Sequence, residues 1–387
     1  MRPRPALPRW GQNSPIFLEN EILKPRIENL YVHIPFCTHL CPYCDFPKER
    51  LAGNRMREFL RGLQAEWQWA QREMDLQPRR IFFGGGTPTA LSPTLLQELC
   101  SIAPWGDSEE WTVEANPDGF GITKASLLAE AGVTRISLGI QAFRPADLKW
   151  LGRRHSRISI QSAVQAARAA GISEVNLDLI YGLPDQGPAE WQSTLEEACA
   201  LEPDHISAYA ITPEDGTELA AMIERGEWHP DPENEAVLFL LTNRILESRG
   251  FTAYEISNFA RPGHECRHHQ AIWAGEDYLG FGPGAVSTVA GRRWRNHPDT
   301  TRYAESALAG PHPHRVEEEQ RGEKERRTEK ILLGLRTNAG LEETTLSGHE
   351  DSLMELERKG WGRRLGGRFL LTARGRLRAD EVAAILT

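Results

Sequence analysis

Six apolar runs, each about as long as a β-strand, recur along the chain and alternate with stretches of helical character. The runs lie at 30–36, 79–89, 111–119, 135–143, 174–184 and 205–213. They are continuous rather than alternating, as expected for parallel strands that are covered on both faces. Strands that alternate with helices predict parallel βα units. This pattern limits the chain to an α/β fold with a mainly parallel sheet.

Polar groups lie on or after these otherwise apolar runs. Glu114, Gln141, Arg153 and Asp178 are of this kind. One such residue would be explained by hydrogen bonds within the core, whereas four around one rim favour a polar ligand. The carboxyl ends of parallel strands share one edge, where barrels and open α/β sheets place their sites. We therefore predict a partial (β/α)6 barrel with its site at that edge.

A glycine-rich stretch, GGGTPT at 84–89, ends the second run. Glycine has no Cβ, so another group can approach its backbone closely. The stretch lacks the P-loop pattern G-x4-G-K-[ST] and the dinucleotide pattern G-x-G-x-x-G. A glycine run alone is more often a turn. Beside the cysteine loop described next, it indicates ligand binding.

Three of the six cysteines lie within eight residues, in VHIPFCTHLCPYCDF at 32–46. Cys37, Cys41 and Cys44 have the spacing C-x3-C-x2-C and no second pair nearby. A structural zinc site would need four protein ligands, and a 4Fe–4S cluster normally takes four thiolates. Three thiolates leave one iron open, as a catalytic site requires. We favour an iron–sulfur cluster and keep zinc and coincidence as alternatives; Cys100 and Cys199 have the spacing of packing residues.

The composition is that of a soluble globular chain. The net charge of −9 gives no general reason to bind nucleic acid. No apolar run approaches the ~18 residues of a membrane span. The basic, proline-rich start lacks the apolar core of a signal peptide. We expect a cytoplasmic protein, in which thiols stay reduced.

The cysteine motif resembles the cluster loop of the radical S-adenosylmethionine (SAM) superfamily. The stretches GGGTPT, EANP, SLGIQAF, LGRRHS, NLDLIYGLP and YEISNFA resemble its subfamily of oxygen-independent coproporphyrinogen III oxidases and HemW-type heme chaperones. The resemblance covers roughly 29–281 and continues more weakly to the end. It implies that Cys37, Cys41 and Cys44 bind a 4Fe–4S cluster, whose open iron is chelated by SAM. The cofactor contacts it implies are Tyr31, Tyr43, Gly84, Gly85, Gly86, Thr87, Glu114, Gln141, Arg153, Asp178 and Thr212.

Two functions compete within that subfamily. One is radical decarboxylation of coproporphyrinogen III to protoporphyrinogen IX, for which an electron from the reduced cluster breaks the sulfonium bond of SAM. The other is delivery of heme to respiratory proteins. The oxidases carry a further cysteine two residues past the third ligand, where this chain has Phe46. The resemblance therefore favours the chaperone, keeps the oxidase as the alternative, and leaves open whether the protein is an enzyme.

A histidine-rich stretch, HECRHHQAIW at 264–273, resembles the C-R-H-N-x-x-Y-W motif of such chaperones. His268 is the heme ligand that the resemblance implies. His269 stands where Asn is usual and Ile272 where Tyr is usual, while Trp273 is kept. His269 and Cys266 are alternative iron ligands, and a solvated surface loop is the alternative to any heme site.

The sequence divides into a mobile tail at 1–28, a barrel at 29–245, a family-specific extension at 246–312 and a C-terminal domain at 313–387. The sequence of the last part predicts helices around a short hairpin, with Thr372 as a helix N-cap. It resembles the small winged-helix-like domain of the same family. The expected partners are heme or porphyrin and a respiratory heme protein, with no nucleic acid. Contact with a membrane surface and a homodimer are left open.

Overall fold

The computed structural model describes residues 24–387, so most of the predicted tail at 1–28 lies outside the described residues. The part that contains the six predicted strands alternates strands with helices, as the apolar runs predict. Its elements are β1 (Arg26–Ile34), β2 (Phe36–Cys37), β3 (Glu49–Arg50), α1 (Gly53–Glu73), β4 (Asp75–Gly85), α2 (Pro93–Cys100), β5 (Glu110–Ala115), α3 (Ile122–Glu130), β6 (Arg135–Gln141), α4 (Pro145–Trp150), α5 (Arg157–Ala169), β7 (Glu174–Tyr181), α6 (Pro188–Ala200), β8 (His205–Ala210), α7 (Glu218–Glu224) and α8 (Pro232–Ser248).

Strands β1, β4, β5, β6, β7 and β8 are neighbours in that order, and each pair is parallel. The sheet continues at both sides without closing on itself. This confirms the predicted α/β fold with a partial six-stranded barrel. Because the six strands run the same way, their carboxyl ends meet at one edge, as expected for the site.

The helices cover the outer face of the sheet with apolar side chains. In α1 the buried residues include Phe59, Leu63, Trp67 and Ala70, which recur every three or four positions on one face of the helix. Helix α5 begins at an N-cap whose hydroxyl accepts from the backbone three residues on, and Gly171 follows the helix end at a φ of 85°. Residues 24–387 include no helix that is long and apolar enough to cross a membrane.

Residues after α8 extend the sheet at both of its edges. The elements of this part are β9 (Thr252–Ala253), β10 (Asn258–Ala260), α9 (Arg267–Trp273), β11 (Tyr278–Phe281), β12 (Val286–Val289), β13 (Arg292–Asn296), α10 (Thr300–Ala309) and β14 (Arg315–Gln320). Strands β10 and β9 follow β8, whereas β11 pairs with β1 and leads to β12, β13 and β14. The predicted extension therefore shares one sheet with the predicted barrel.

The last residues pack around a second apolar core. Its elements are α11 (Glu323–Leu335), β15 (Leu341–Glu342), α12 (Glu350–Arg358), β16 (Gly362–Leu365), β17 (Arg368–Leu371), α13 (Ala373–Arg376) and α14 (Ala379–Leu386). Strand β17 lies between β15 and β16, and the core runs from Ile331 to Leu386. The Thr372 hydroxyl accepts from Gly375 N at 3.1 Å, so the predicted N-cap is present. Three short strands with helices match the predicted winged-helix-like arrangement.

Candidate functional site

A cavity of about 810 Å³ occupies the interior of the barrel, and the predicted site residues converge on it. It reaches from the cysteine loop after β1 to helix α9. Its walls include Tyr31, Cys37, Cys41, Tyr43, Cys44, Gly85, Gly86, Thr87, Glu114, Gln141, Arg153, Asp178, Thr212 and His268. Of the predicted residues, only Gly84 is absent from these walls. The sequence therefore predicted which side chains share the cavity, although it could not show their contacts.

The cysteine loop is held against the end of β4 by backbone hydrogen bonds. Gly86 N donates to Ile34 O and Thr87 N donates to Phe36 O, both at 2.8 Å. A Cβ on Gly86 would lie 2.6 Å from that Ile34 oxygen. A Cβ on Gly84 would lie 2.8 Å from the carboxylate of Glu114. These two glycines therefore permit close contacts within the protein, in addition to the ligand contact that the sequence indicates.

Cys37 and Cys44 lie in surroundings that disfavour a bare thiolate. Burial raises the pKa of Cys37 to about 11. Negative charge on the other two cysteines acts in the same direction. The Thr87 hydroxyl, which lies 3.8 Å from Cys37 Sγ, acts in the opposite direction. Burial also raises the pKa of Cys44. Within residues 24–387, no three His, Cys, Asp or Glu side chains are arranged around a single metal ion. The donor set is three thiols on one cavity wall, and a cationic cluster would stabilise their ionised form.

Two half-buried carboxyl groups, Glu114 and Asp178, lie deeper in the cavity. Burial, together with the negative charge of Asp178, raises the pKa of Glu114 to about 8, and Glu114 accepts from Gly85 N at 3.1 Å. Burial likewise raises the pKa of Asp178, although Ser137 donates to it at 2.8 Å and Asn176 at 2.7 Å. Two carboxyl groups that repel each other in a buried cavity favour a cationic or hydrogen-bond-donating ligand.

Arg153 links the cysteine loop to the end of β6. Its guanidinium donates to Cys41 Sγ at 3.6 Å and to the carbonyl of Gly139. Its Nε is buried without a partner among the described residues. A Cβ on Gly139 would lie 2.6 Å from Arg153 Nη2, so glycine makes room for the guanidinium. A half-buried guanidinium with a free donor suits the carboxylate of a ligand.

The remaining predicted contacts lie around the mouth and wall of the cavity. Gln141 has a φ of 63°, an uncommon conformation for a residue with a side chain. The Tyr31 hydroxyl lies 3.0 Å from His33 Nδ1. Burial raises the pKa of Tyr43, so its hydroxyl stays protonated. Thr212 is exposed at the rim.

His268 lies at the opposite end of the cavity, near the first residues of β4 and β5. It belongs to α9, whose first backbone amides are capped by a carboxylate: Arg267 N and His268 N each donate to Glu110 at 2.9 Å. Glu110 is the first residue of β5. At about 3.3 Å per residue, the carboxyl end of that strand lies about 16 Å away. The expectation that the functional residues meet at the strand ends therefore does not extend to His268.

The imidazole of His268 is neutral and has a free nitrogen. Burial lowers the pKa of His268 to about 3, and the charge of His269 acts in the same direction. The Nδ1 atoms of both residues are buried and have no partner within the part of the chain that is described. Their rings lie 5.6 Å and 5.1 Å from the ring of Phe82, centroid to centroid. A neutral imidazole nitrogen without a partner can bind a metal.

A polar network along β7 and β8 was missed by the sequence reasoning. Asn176 donates to Ser137 and to Asp178, both at 2.7 Å, and its oxygen lies 2.7 Å from His205 Nδ1. His205 Nε2 lies 2.9 Å from the Tyr254 hydroxyl. The signal was present, because NLD and HIS place polar residues at every second position, on one face of a strand. The expectation of continuous apolar runs was therefore wrong for the inward faces of these strands.

Comparisons with known proteins agree with this geometry. The chain matches the Radical SAM superfamily over residues 31–198. It is 33% identical to the heme chaperone HemW of Bacillus subtilis (strain 168) over 92% of this chain and 98% of the relative. It is 37% identical to the heme chaperone HemW of Mycobacterium tuberculosis (strain ATCC 25618 / H37Rv), over 92% of this chain and 94% of the relative.

The fold itself is also similar to that of a solved structure. The coproporphyrinogen III oxidase HemN of Escherichia coli, a radical SAM enzyme, superposes with a TM-score of 0.79 over 94% of this chain and 90% of that chain, at 23% identity. The fold and the three-cysteine loop thus define a radical SAM protein, a class that implies a 4Fe–4S cluster and SAM. Within that class, the chain belongs to the HemW family.

Proposed function

We propose that this chain is a heme chaperone that holds a 4Fe–4S cluster and SAM, binds heme, and delivers it to a respiratory heme protein. The observation that carries the proposal is the similarity to HemW chaperones along nearly the whole length of both chains. That similarity includes the extension and the C-terminal domain, which the superfamily match at 31–198 does not reach. Phe46, in place of the oxidases' additional cysteine, supports the same branch.

The three thiols fit the cluster, and the polar groups of the cavity fit SAM. Cys37, Cys41 and Cys44 would hold three irons and leave the fourth to the amino and carboxyl groups of SAM. The bound pair supplies one-electron chemistry at the sulfonium group. Arg153, with its free Nε, would hold a carboxylate, and Glu114 would accept from ribose hydroxyls.

The other predicted contacts would complete that site. Their common feature is a position on or beside the wall between the cysteine loop and the strand ends. They are Tyr31, Tyr43, Gly84, Gly85, Gly86, Thr87, Gln141, Asp178 and Thr212. Asp178 is held by two donors from neighbouring strands, so its position is set before any ligand binds.

His268 is the proposed heme ligand. Burial keeps its imidazole neutral, and its Nδ1 has no partner among the described residues, so a lone pair is available to iron. Aromatic and apolar groups, including Phe82, Ile272 and Trp273, line the same part of the cavity, which suits a flat macrocycle. The ring of His269 lies 6.2 Å away, so it is the first alternative ligand.

Two assays distinguish the chaperone from the oxidase. Anaerobically reconstituted protein, with verified iron and sulfide, is loaded with heme and mixed with the apo form of a b-type respiratory cytochrome. Absorption spectra should show heme moving to the cytochrome. The same protein with SAM, dithionite and coproporphyrinogen III should yield no product by chromatography. Protoporphyrinogen IX over multiple turnovers would instead identify an oxidase.

Variants connect the first assay to the proposed ligand. His268→Ala should reduce heme loading and therefore transfer. His229→Ala removes an exposed histidine that is not part of the cavity wall, so it serves as the matched control. Equal loading of the two variants would move the ligand to His269, Cys266 or another residue.

A further inference from the structure

The C-terminal domain contributes an arginine side chain to the wall of the cavity. Within residues 24–387, the only wall residue that belongs to this domain is Arg336, which directly follows helix α11. Backbone contacts hold it against the turn before β10. Thr337 forms a β-bridge with Glu255, and the residue after it donates its backbone N–H to Tyr254 O at 2.9 Å. The segment after α11 thus adds a cation to a wall that the barrel and the extension otherwise form.

The guanidinium of Arg336 is held in place and keeps donors for a ligand. Its Nη1 donates to the carbonyl of Leu332 at 2.7 Å, and its Nη2 pairs with Asp380. Among the described residues these are its hydrogen bonds, and they use two of the five N–H groups of a guanidinium. The side chain of Asp380 is 88% exposed, and an ion pair at the surface contributes little to stability. A carboxylate in the cavity can therefore bind the remaining N–H groups of Arg336.

The other lysine and arginine side chains on the wall already have partners. They are Lys48, Arg135 and Arg153. Lys48 and Arg153 donate to the cysteine loop. Arg135 has two nitrogens without a partner in the described part of the chain, but it pairs with two carboxylates, Glu110 at 3.4 Å and Glu174. A further carboxylate there would face a site whose net charge is already negative. The cation of the C-terminal domain is the one that remains.

The surroundings of Arg336 suit the carboxylate edge of an otherwise apolar macrocycle. Heme carries two propionates on one edge, and both are ionised at neutral pH. Ile256, Ile272 and Trp273 line the same cavity. An ionised carboxylate in such a cavity costs free energy unless it is paired, and arginine pairs with carboxylates through two parallel hydrogen bonds. Burial raises the pKa of the neighbouring Glu255, so its neutral form is favoured and it repels a propionate less.

We propose that Arg336 binds a propionate of heme and thereby fixes which edge of the macrocycle faces the C-terminal domain. This inference rests on the proposed function, because it concerns the heme that His268 would bind. With iron at His268 and a propionate at Arg336, the extension and the C-terminal domain hold heme together, and the residues proposed for SAM are not needed. Arg336 thus selects a tetrapyrrole with a free propionate over one whose propionates are esterified.

Heme dimethyl ester, in which both propionates are methylated, isolates this contact. Heme and the ester are titrated, in the same detergent solution, into anaerobically reconstituted protein, and the Soret band gives the dissociation constants. The wild type should bind heme at least about tenfold more tightly than the ester. Arg336→Gln should lose most of that preference, because its affinity for heme falls while its affinity for the ester is unchanged. Arg336→Lys should keep part of the preference, since lysine retains the charge but not the planar pair of donors.

The variant Asp380→Asn separates the cavity contact from the surface ion pair. It removes the partner of Arg336 on the outside and leaves the cavity wall unchanged. It should therefore bind heme at least as tightly as the wild type does. If the pair had only a structural role, Asp380→Asn and Arg336→Gln would be equivalent and would weaken binding of heme and ester alike. Arg363→Gln changes an exposed arginine of the same domain outside the wall and should match the wild type.

The outcomes separate this inference from the proposed function. Iron content and SAM affinity should be the same in Arg336→Gln and the wild type, which shows that the variant is folded. Heme binding that depends on His268, with an equal preference over the ester in the wild type and Arg336→Gln, would overturn the propionate assignment alone. Equal affinity of the wild type for heme and ester would do the same. No heme binding by the wild type would refute the proposed function and this inference with it.

Discussion

The carboxylate of Glu66 should make the stability of this protein depend on pH. Glu66 lies on α1 and accepts from Tyr303 Oη at 2.5 Å, Asn296 Nδ2 at 2.7 Å and Gly282 N at 2.9 Å. It thereby joins the first helix to the extension after the barrel. Burial raises the pKa of Glu66 to about 7, although the three donors oppose this shift.

The size of this change in the free energy of unfolding follows from the difference in the pKa of Glu66 between the folded and unfolded states. An unfolded glutamate titrates near 4.5 and the folded one near 7, so folding favours the protonated form. The contribution of Glu66 to the free energy of unfolding is complete below the unfolded pKa and is lost as the pH rises toward 7. One pKa unit corresponds to about 1.4 kcal/mol. The full loss is therefore about 3 kcal/mol, and most of it falls between pH 5 and pH 8.

Urea unfolding of wild type and Glu66→Gln, followed by tryptophan fluorescence at pH 5 and pH 8, measures this difference. Glutamine stays neutral, so the wild type should lose about 2 to 3 kcal/mol more than the variant between the two pH values. Glu73→Gln changes an exposed glutamate at the end of the same helix and should show the wild-type pH dependence. The same pH dependence in wild type and Glu66→Gln would refute the reasoning.

Three further substitutions test the candidate site. Cys41→Ala should lose most of its iron and sulfide, because two thiolates hold a cluster poorly, while Cys100→Ala should keep both. His268→Ala should weaken heme binding by at least about tenfold in a spectral titration, and His229→Ala should not. SAM binding near pH 7 should release close to one proton, since the pKa of Glu114 is about 8 in the free site and donors on the ligand favour the ionised form. Calorimetry in buffers of different ionisation enthalpy would show this proton, and its persistence in Glu114→Gln would assign it to another group.

Part of the cavity wall at the cysteine-loop end could be predicted because parallel strands share one direction. Glu114, Gln141 and Asp178 lie on three neighbouring strands, and all three face the cavity. Gly84 was the exception, because it lies beneath the Glu114 carboxylate and does not line the wall. The strand pattern indicates which edge of the sheet a residue lies near. Whether that residue also lines the cavity depends on the side chains of the neighbouring strand, here Glu114.

The two edges of the sheet could not be predicted. Strands β9 and β10 have two and three residues, too few for a periodic signal. Consecutive segments of the extension also pair with opposite edges of the sheet, β10 with β8 and β11 with β1. Local sequence contains no information about such a division, which depends on contacts between residues far apart in the chain.

The position of His268 depends on charged residues that the sequence reasoning passed over. Glu110 caps α9 through two backbone amides, and Arg135 lies 3.4 Å from the same carboxylate. Arg135 also donates to the carbonyls of His264 and Glu265, at 3.2 Å and 3.3 Å. In the sequence, each is only a charged residue at the start of an apolar run. Because both are buried and paired with the segment before His268, the orientation of the proposed heme ligand is set by the first residues of two barrel strands, at the end of the cavity away from Cys37, Cys41 and Cys44.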